Sequence, residues 1–496
     1  MKKLLSMFLA LAMALSIMPV FASAATEAME ITWLIGGSGT TSNTENPVLD
    51  AIYDAIGVKV NVIQVAPGDL EAKLNTMIAA KQLPDLFSVE ADDAIEFINE
   101  GMLAPVGDLI AEYGPNLQKE LGEYIPQSPA NQVDGNIYTI PGYGITYTNN
   151  LSVRVDWLKK LGLTMPTDLD SLYDVLYAFT YDDPDGNGVQ DTVGIVTTMT
   201  QENQWEHLFG AFGIAYDEPT LLDDGTVTTY MKDEHYLDAI QYLRKLYQAG
   251  VMDQEFATMP AMTAHESLWT GRCGVYGFQN VGTTNNWYPG RYTFDVPADP
   301  AEMFGFTVIE GPYGDKGSPK RYKNVTEGFV VSSTAEHPEA VIQLLDYLAT
   351  EAGDTLTYLG VEGLMYEWVD KANGQYKRLG EYTDDAVHRA NGGYTYWMAI
   401  PAMHCELRTM NALTREGQAF AVENAFDWPK IYTVFPASIE YGATLDGITK
   451  EALAQLIVTT GDVEAEYEAL VTRWENEGGL EWEAQATEAY NAEHAQ

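Results

Sequence analysis

The chain has 496 residues, and its 27 Lys and Arg against 72 Asp and Glu give a formal net charge of −45. Hydrophobic residues make up 46% and aromatic residues 11%, enough to fill substantial cores, so a disordered chain is excluded and the length suits two or three domains. The negative field repels phosphate backbones and anionic membranes, which excludes nucleic acid as a partner, disfavours polyanionic ligands and leaves a neutral ligand as the expectation.

Lys2 and Lys3 precede an apolar run from Leu4 to Val20, and Ala22-Ser23-Ala24 supplies the small residues of a cleavage site, so residues 1–24 read as an export signal. The apolar run is shorter than the roughly 20 residues of a spanning helix. No cysteine follows the signal, so no lipobox is expected. The protein is expected outside the cytoplasm: extracellular, at the cell surface or in the periplasm.

From Glu30 the pattern alternates between strand and helix periodicity. Ile31 to Ile35 is an apolar strand ending in Gly36-Gly37-Ser38-Gly39, and Pro47 to Ile56 has helical spacing. Val60 to Val65 alternates as a strand, Leu70 to Ala80 is an amphipathic helix, and Leu86 to Val89 is a short strand. Such alternation builds an α/β fold with helices on a mostly parallel sheet, and ligands then bind beyond the carboxyl ends of the strands. That rule points to the loop from Gly36 to Gly39 and to Glu90, although the glycines lack the spacing of a phosphate-binding motif. Glu90 could equally be a helix-capping acid.

A second unit begins near Tyr147. Trp157 to Leu161 and Leu169 to Phe179 read as helices around the break at Met165-Pro166. Asp183, Asp185 and Asn187 then fall at positions one, three and five of a glycine-punctuated loop, Val189 offers a carbonyl at seven, and Asp191 stands at nine. A hard cation such as calcium, in a structural role, suits that oxygen set. Position twelve is Gly194 where an EF-hand carries a bidentate glutamate, so further oxygens must come from elsewhere. The alternative reading is a polar turn, since Asp-Gly and Asn-Gly form turns unaided. Val193 to Thr197 reads as a strand, Tyr236 to Gln248 as a helix closed by Gly250, and Gly274 to Phe278 and Phe306 to Ile309 as strands. Phe329 to Val331 is another short strand, followed by helices over Ala340 to Leu348, Val463 to Trp474 and Trp482 to Tyr490. Cys273 and Cys405 could form one disulfide outside the cytoplasm, but nothing in the sequence brings them together.

Arg154-Val155-Asp156-Trp157-Leu158-Lys159-Lys160-Leu161-Gly162-Leu163, Pro166-Thr167 and the Asp-Pro-Asp-Gly-Asn-Gly loop occur in an order that resembles the family 1 extracellular solute-binding proteins. Leu246 to Asp253 with Glu255-Phe256, the Gly311-Pro312-Tyr313-Gly314 turn, and Gly478-Gly479-Leu480 leading to Ala489-Tyr490 extend the resemblance over nearly the whole mature chain. The resemblance implies a two-lobe periplasmic-binding-protein type II fold of the large, maltose-binding-protein-like kind. Hinge crossings are then expected near Pro141 to Asn150, Asn324 to Ser332 and Met365 to Tyr376. One lobe would hold residues 29–145 and 330–370, the other residues 146–329 and 371–496. It further implies a monomer that captures a neutral oligosaccharide between the lobes and presents it to the permease subunits of an ABC transporter. In oligosaccharide-binding relatives the acidic loop holds calcium, and Gram-positive members are usually lipoproteins, a pattern from which this chain departs by lacking the cysteine.

A sugar site needs aromatic platforms for apolar ring faces beside side chains that hydrogen-bond hydroxyls. Aromatic residues in loops are the candidates: Tyr143, Tyr147, Trp205, Trp269, Trp287, Tyr288, Tyr396 and Trp397, each weighed against ordinary burial. Arg154 beside Asp156 could ion-pair instead of meeting ligand. As for enzymes, the abundance of carboxylates makes a glycosidase pair uninformative, and there is no His-Glu-x-x-His helix or Gly-x-Ser-x-Gly elbow. His404 and Cys405 are neighbours that make a poor nucleophile and base. A secreted hydrolase or lyase, a nonimporting carbohydrate-binding surface protein, and a peptide binder on the same fold stand as the alternatives.

Overall fold

The computed structural model describes residues 29–37, 41–132, 135–142, 150–200, 202–277, 292–295, 297, 302–320, 327–394 and 404–494. The expected export signal therefore lies outside the described residues. Among those described, no helix is long and apolar enough to cross a membrane.

The chain first lays down strand β1 (Met29–Gly36), helix α1 (Pro47–Ile56), β2 (Val58–Val65), α2 (Leu70–Ala79), β3 (Leu86–Glu90), α3 (Ala91–Asn99) and β4 (Thr139–Pro141). Helix α1 is locally determined: Pro47 takes the first turn, the Asn46 carboxamide oxygen accepts from the amides of Val48 and Leu49 at 3.1 Å, and Gly57 closes it at φ 71°. β1 pairs in parallel with β2 from Met29 against Val58 to Gly36 against Val65.

The second run holds β5 (Leu151–Arg154), α4 (Leu169–Tyr181), β6 (Val193–Val196), α5 (Tyr236–Gln248), β7 (Cys273–Tyr276) and β8 (Phe304–Thr307). Asp168 and Ser171 form a reciprocal capping box that starts α4. The chain then returns as β9 (Glu327–Val331) and α6 (Pro338–Leu348), and ends in α7 (Pro436–Val458) followed by helices Val463–Trp474 and Leu480–His494.

Two sheets result. One has the order β2-β1-β3-β9-β4, the other β8-β5-β7-β6. Each has its own core: Ile31, Trp33, Val60, Leu86, Phe329 and Leu345 belong to the first, and Val153, Trp157, Phe179, Leu243, Val275 and Leu453 to the second. Return of β9 to the first sheet, antiparallel to both β3 and β4, obliges the chain to cross between units more than once.

The expected third crossing at Met365 to Tyr376 is displaced. Met365 and Tyr382 lie in the first core, Tyr366–Asp370 pairs with Gln375–Arg378 as a hairpin, and Tyr366 packs with Tyr358, Leu359 and Cys405. The chain joins the second unit only past Thr409, where Leu413 enters a second-unit cluster and the Gly417 carbonyl accepts from the Asn150 amide at 2.9 Å. Aromatic content overrides the boundary here: Tyr366, Trp368 and Tyr376 need a shared apolar partner, and Tyr358 and Leu359 supply it. Cys273 and Cys405 are both buried and are not bridged to each other, one lying in the second unit and the other in this cluster of the first.

Candidate ligand site at the joined ends of the two sheets

Strand direction locates the place where the units meet. The crossing over residues 142–150 leaves β4 at its carboxyl end and enters β5 at its start, while the return to Glu327 begins β9. Because β9 is antiparallel to β3, Glu327 stands opposite Glu90, so the carboxyl ends of β1, β2, β3 and β4 and the start of β9 share one edge of the first unit. In the second unit β5 is antiparallel to β7 and β8, and β6 is parallel to β7. The start of β5 therefore shares an edge with the carboxyl ends of β6, β7 and β8. These two edges are the ones the crossings join, and they are where an α/β sheet presents its ligand groups.

On the first edge Glu90 and Glu327 are register partners. Glu90 keeps an exposed surface, but packing around its carboxyl desolvates it and, with the charges of Glu327, Asp92 and Asp93, pushes it up to about 7. Glu327 is also exposed at its surface, and partial desolvation raises its carboxyl, against a hydrogen bond from Ser88. Glu90 occupies the N-cap position of α3 but makes no side-chain capping bond. Past β1 and at the end of β2, the Thr41 hydroxyl and both amide atoms of Gln64 are buried and have no hydrogen-bond partner among the described residues.

The second edge repeats the feature. Thr197 follows β6 and Gln204 lies in a short turn beyond it, and both are fully buried. The Thr197 hydroxyl and both amide atoms of Gln204 again lack partners among the described residues. Sequence reasoning missed these groups because it searched for aromatics. A signal for Gln64 was present: Val58, Val60 and Val62 face inward along β2, and Gln64 continues that alternation.

Of the expected aromatic platforms, Tyr143, Tyr147, Trp287, Tyr288, Tyr396 and Trp397 lie outside the described residues. Trp205 is fully buried in the second core, edge-on to Phe256, with its indole N–H donating to the Thr198 carbonyl at 3.2 Å. It fixes the turn that carries Gln204 and offers no open face in this arrangement. Trp269 is 3% exposed, stacks on His265, and sits before the amino end of β7, away from the joined edge. Arg154 is at the far end of β5, where its guanidinium donates to both Asp156 oxygens at 2.8 and 2.6 Å.

The acidic loop leaves α4 and leads into β6. Gly186 and Gly188 both take φ 78°, which supplies the expected sharp turn. Asp183 accepts from the amides of Gly186 at 2.9 Å and Gly188 at 3.2 Å, and the Asn187 carboxamide N–H reaches Asp185 at 2.7 Å and Asp191 at 3.2 Å. Asp183 is held below the ordinary carboxylate range by Asp185, by the Gly188 and Gly186 amides and by Lys160, against a desolvation that acts the other way. Asp183, Asp185, Asn187 and Asp191 are thus brought together, yet their carboxylates converge on N–H groups. Among the described residues no group of three or more His, Cys, Asp or Glu side chains is arranged to hold a metal ion. The donor set itself is all oxygen and suits a hard cation. Gly194 explains the missing twelfth-position acid: a Cβ there would lie 2.6 Å from the Leu176 carbonyl oxygen.

Two α/β units, joined repeatedly at edges that bury unspent polar groups, define a hinged two-lobe binding protein. The bacterial extracellular solute-binding protein family matches over residues 38–355, and the chain belongs to that family. It is similar to lipoprotein LipO of Bacillus subtilis, with 26% identity over 471 residues, 90% of this chain and 88% of LipO. It is also similar to the fructooligosaccharide ABC transporter substrate-binding protein FusA of Streptococcus pneumoniae, 32% identical over 294 residues, 55% of this chain and 51% of FusA. The solved structure of FusA with kestose shares the fold at a TM-score of 0.74 and 22% identity, covering 94% of this chain and 99% of FusA. A second FusA structure, of an EF-hand mutant with fructo-nystose, superposes at 0.72.

Proposed function

We propose that this chain is the extracytoplasmic receptor of an ABC importer, and that it closes on a neutral oligosaccharide without altering it. One observation carries the reading: buried hydroxyl and carboxamide groups without partners among the described residues stand at the joined edges of both units. Neutral polar groups of this kind complement sugar hydroxyls, whereas an ionic ligand calls for a charged partner. Family membership and the resemblance to FusA, itself a fructooligosaccharide-binding protein, support the same reading. Calorimetry and thermal shift against a broad panel of neutral oligosaccharides are expected to find a saturable ligand with no product formed. Absence of binding across the panel, or turnover of a bound sugar, sinks this function.

The calcium assignment is a second part of the proposal. Asp183, Asp185, Asn187, the Val189 carbonyl and Asp191 would hold the ion, and its contribution would be to clamp the connection between α4 and β6. Support comes from the oxygen donor set and from the EF-hand mutant in the FusA structures. Chelator is expected to lower the melting temperature by roughly 5 °C, from the stabilisation that a site saturated about a hundredfold above its Kd provides. Asp185→Ala should melt at the lower temperature with or without chelator. A wild-type curve indifferent to chelation removes calcium from the account.

A further inference from the structure

Each joined edge buries one glutamine carboxamide that the fold does not use. Gln204 is fully buried, and neither its oxygen nor its nitrogen has a partner among the described residues. Its backbone is held in place: Trp205 donates to Thr198, and the Thr198 and Thr200 hydroxyls both donate to the Met259 carbonyl. A Cβ at Gly277 would lie 3.0 Å from the Gln204 carbonyl oxygen, so the end of β7 passes close beneath it. Across the joint, Gln64 lies near the end of β2 against Gly37, where a Cβ would come within 2.7 Å of its amide nitrogen. Unpartnered buried amides destabilise a protein, so two of them at matching places call for a reason outside the unliganded fold.

A carboxamide donates from one side and accepts on the other. That is the complement of two adjacent hydroxyls, one accepting and one donating. It is a poor complement to a carboxylate, which only accepts. Resting on the reading of the site as an oligosaccharide cleft, we propose that Gln204 and Gln64 are its specificity-determining residues, each taking a neighbouring pair of hydroxyls on the ligand, one from each unit. Gln204 is fully buried in this arrangement, so ligand reaches it only after the groups covering it move, and a ligand bonded to both amides bridges the two units.

The test uses Gln204→Met and Gln64→Met, which keep approximate volume and remove the amide, with Gln204→Glu as a variant that keeps shape but loses the donor. Malto-, fructo-, galacto- and xylo-oligosaccharides and oligogalacturonides are the probes. Each methionine variant is expected to bind whichever neutral oligosaccharide wild type takes roughly tenfold or more weakly, because the sugar hydroxyls it buries no longer meet a donor and an acceptor. The unliganded melting temperature should stay or rise, because the orphan amide is gone. Gln204→Glu should weaken the same ligand. Affinity within twofold of wild type, or a fall in unliganded melting temperature that marks a structural amide bridged by internal water, overturns the assignment. Tighter wild-type binding of oligogalacturonides than of neutral sugars overturns it as well. Absence of any oligosaccharide binding by wild type condemns the cleft reading itself, and is distinguishable from a bound sugar indifferent to both glutamines.

Discussion

At the scale of single residues, the joined edge of the first unit carries a testable charge signature. Partial desolvation of its carboxyl and three acidic neighbours raise the otherwise exposed Glu90 to about 7. A carboxyl raised in the folded state binds its proton more tightly there than in the unfolded chain. Its contribution to stability is therefore complete below the unfolded value near 4.5 and is lost as pH rises through about 7. Glu90→Gln should raise the melting temperature at pH 8 by roughly 1–3 °C, with the gain vanishing towards pH 4.5. A difference independent of pH would show that the carboxyl is not perturbed. The place of Glu90 at this edge was legible in the sequence because it directly follows the strand expected over Leu86 to Val89. Trp205 and Trp269 were not separable in the same way. A tryptophan after a polar stretch and one before a glycine turn have the local look of exposed residues, and only the packing of Phe256 and His265 against them shows otherwise.

Among elements, the packing of α4 on β6 and β7 is the most constrained by shape. Gly194 and Gly274 face α4, and a Cβ on either would collide, 2.6 Å from the Leu176 carbonyl oxygen in one case and closer still to the Phe179 ring in the other. Gly194→Ala is expected to cost about 1–3 kcal/mol, read as a lower urea midpoint at unchanged slope. A midpoint unchanged from wild type would mean that α4 can retreat without penalty. The same packing accounts for what the sequence could and could not reveal about the acidic loop. Alternate oxygen-bearing residues and two glycines were plain from spacing, and the turn forms at those glycines. That the twelfth position is a packing glycine, closed to any carboxylate, depends on a helix that has to be seen in place. Periodicity likewise located α1, α2, α5 and α6 closely, since each has a continuous apolar face, whereas the hairpin of Tyr366–Asp370 with Gln375–Arg378 was missed because its strands are short and a register shift between Trp368 and Asp370 breaks the pairing.

For the whole molecule, two sheets with separate cores imply two units of cooperativity coupled through the crossings. Calorimetry without ligand should resolve two overlapping transitions, and a bound oligosaccharide should draw them into one. A single transition without ligand, with calorimetric and van't Hoff enthalpies equal, would show instead that the units melt together. The crossings join the carboxyl end of β4 and the start of β9, next to Glu90, whereas Gln64 on β2 and Gln204 beyond β6 stand at the far strands of the two sheets. In the proposed site the two amides therefore lie several strands away from the crossings. A small rotation about the crossings would carry those amides through a longer arc than Glu90, so a ligand bridging them would tie down the parts of the two units that travel furthest.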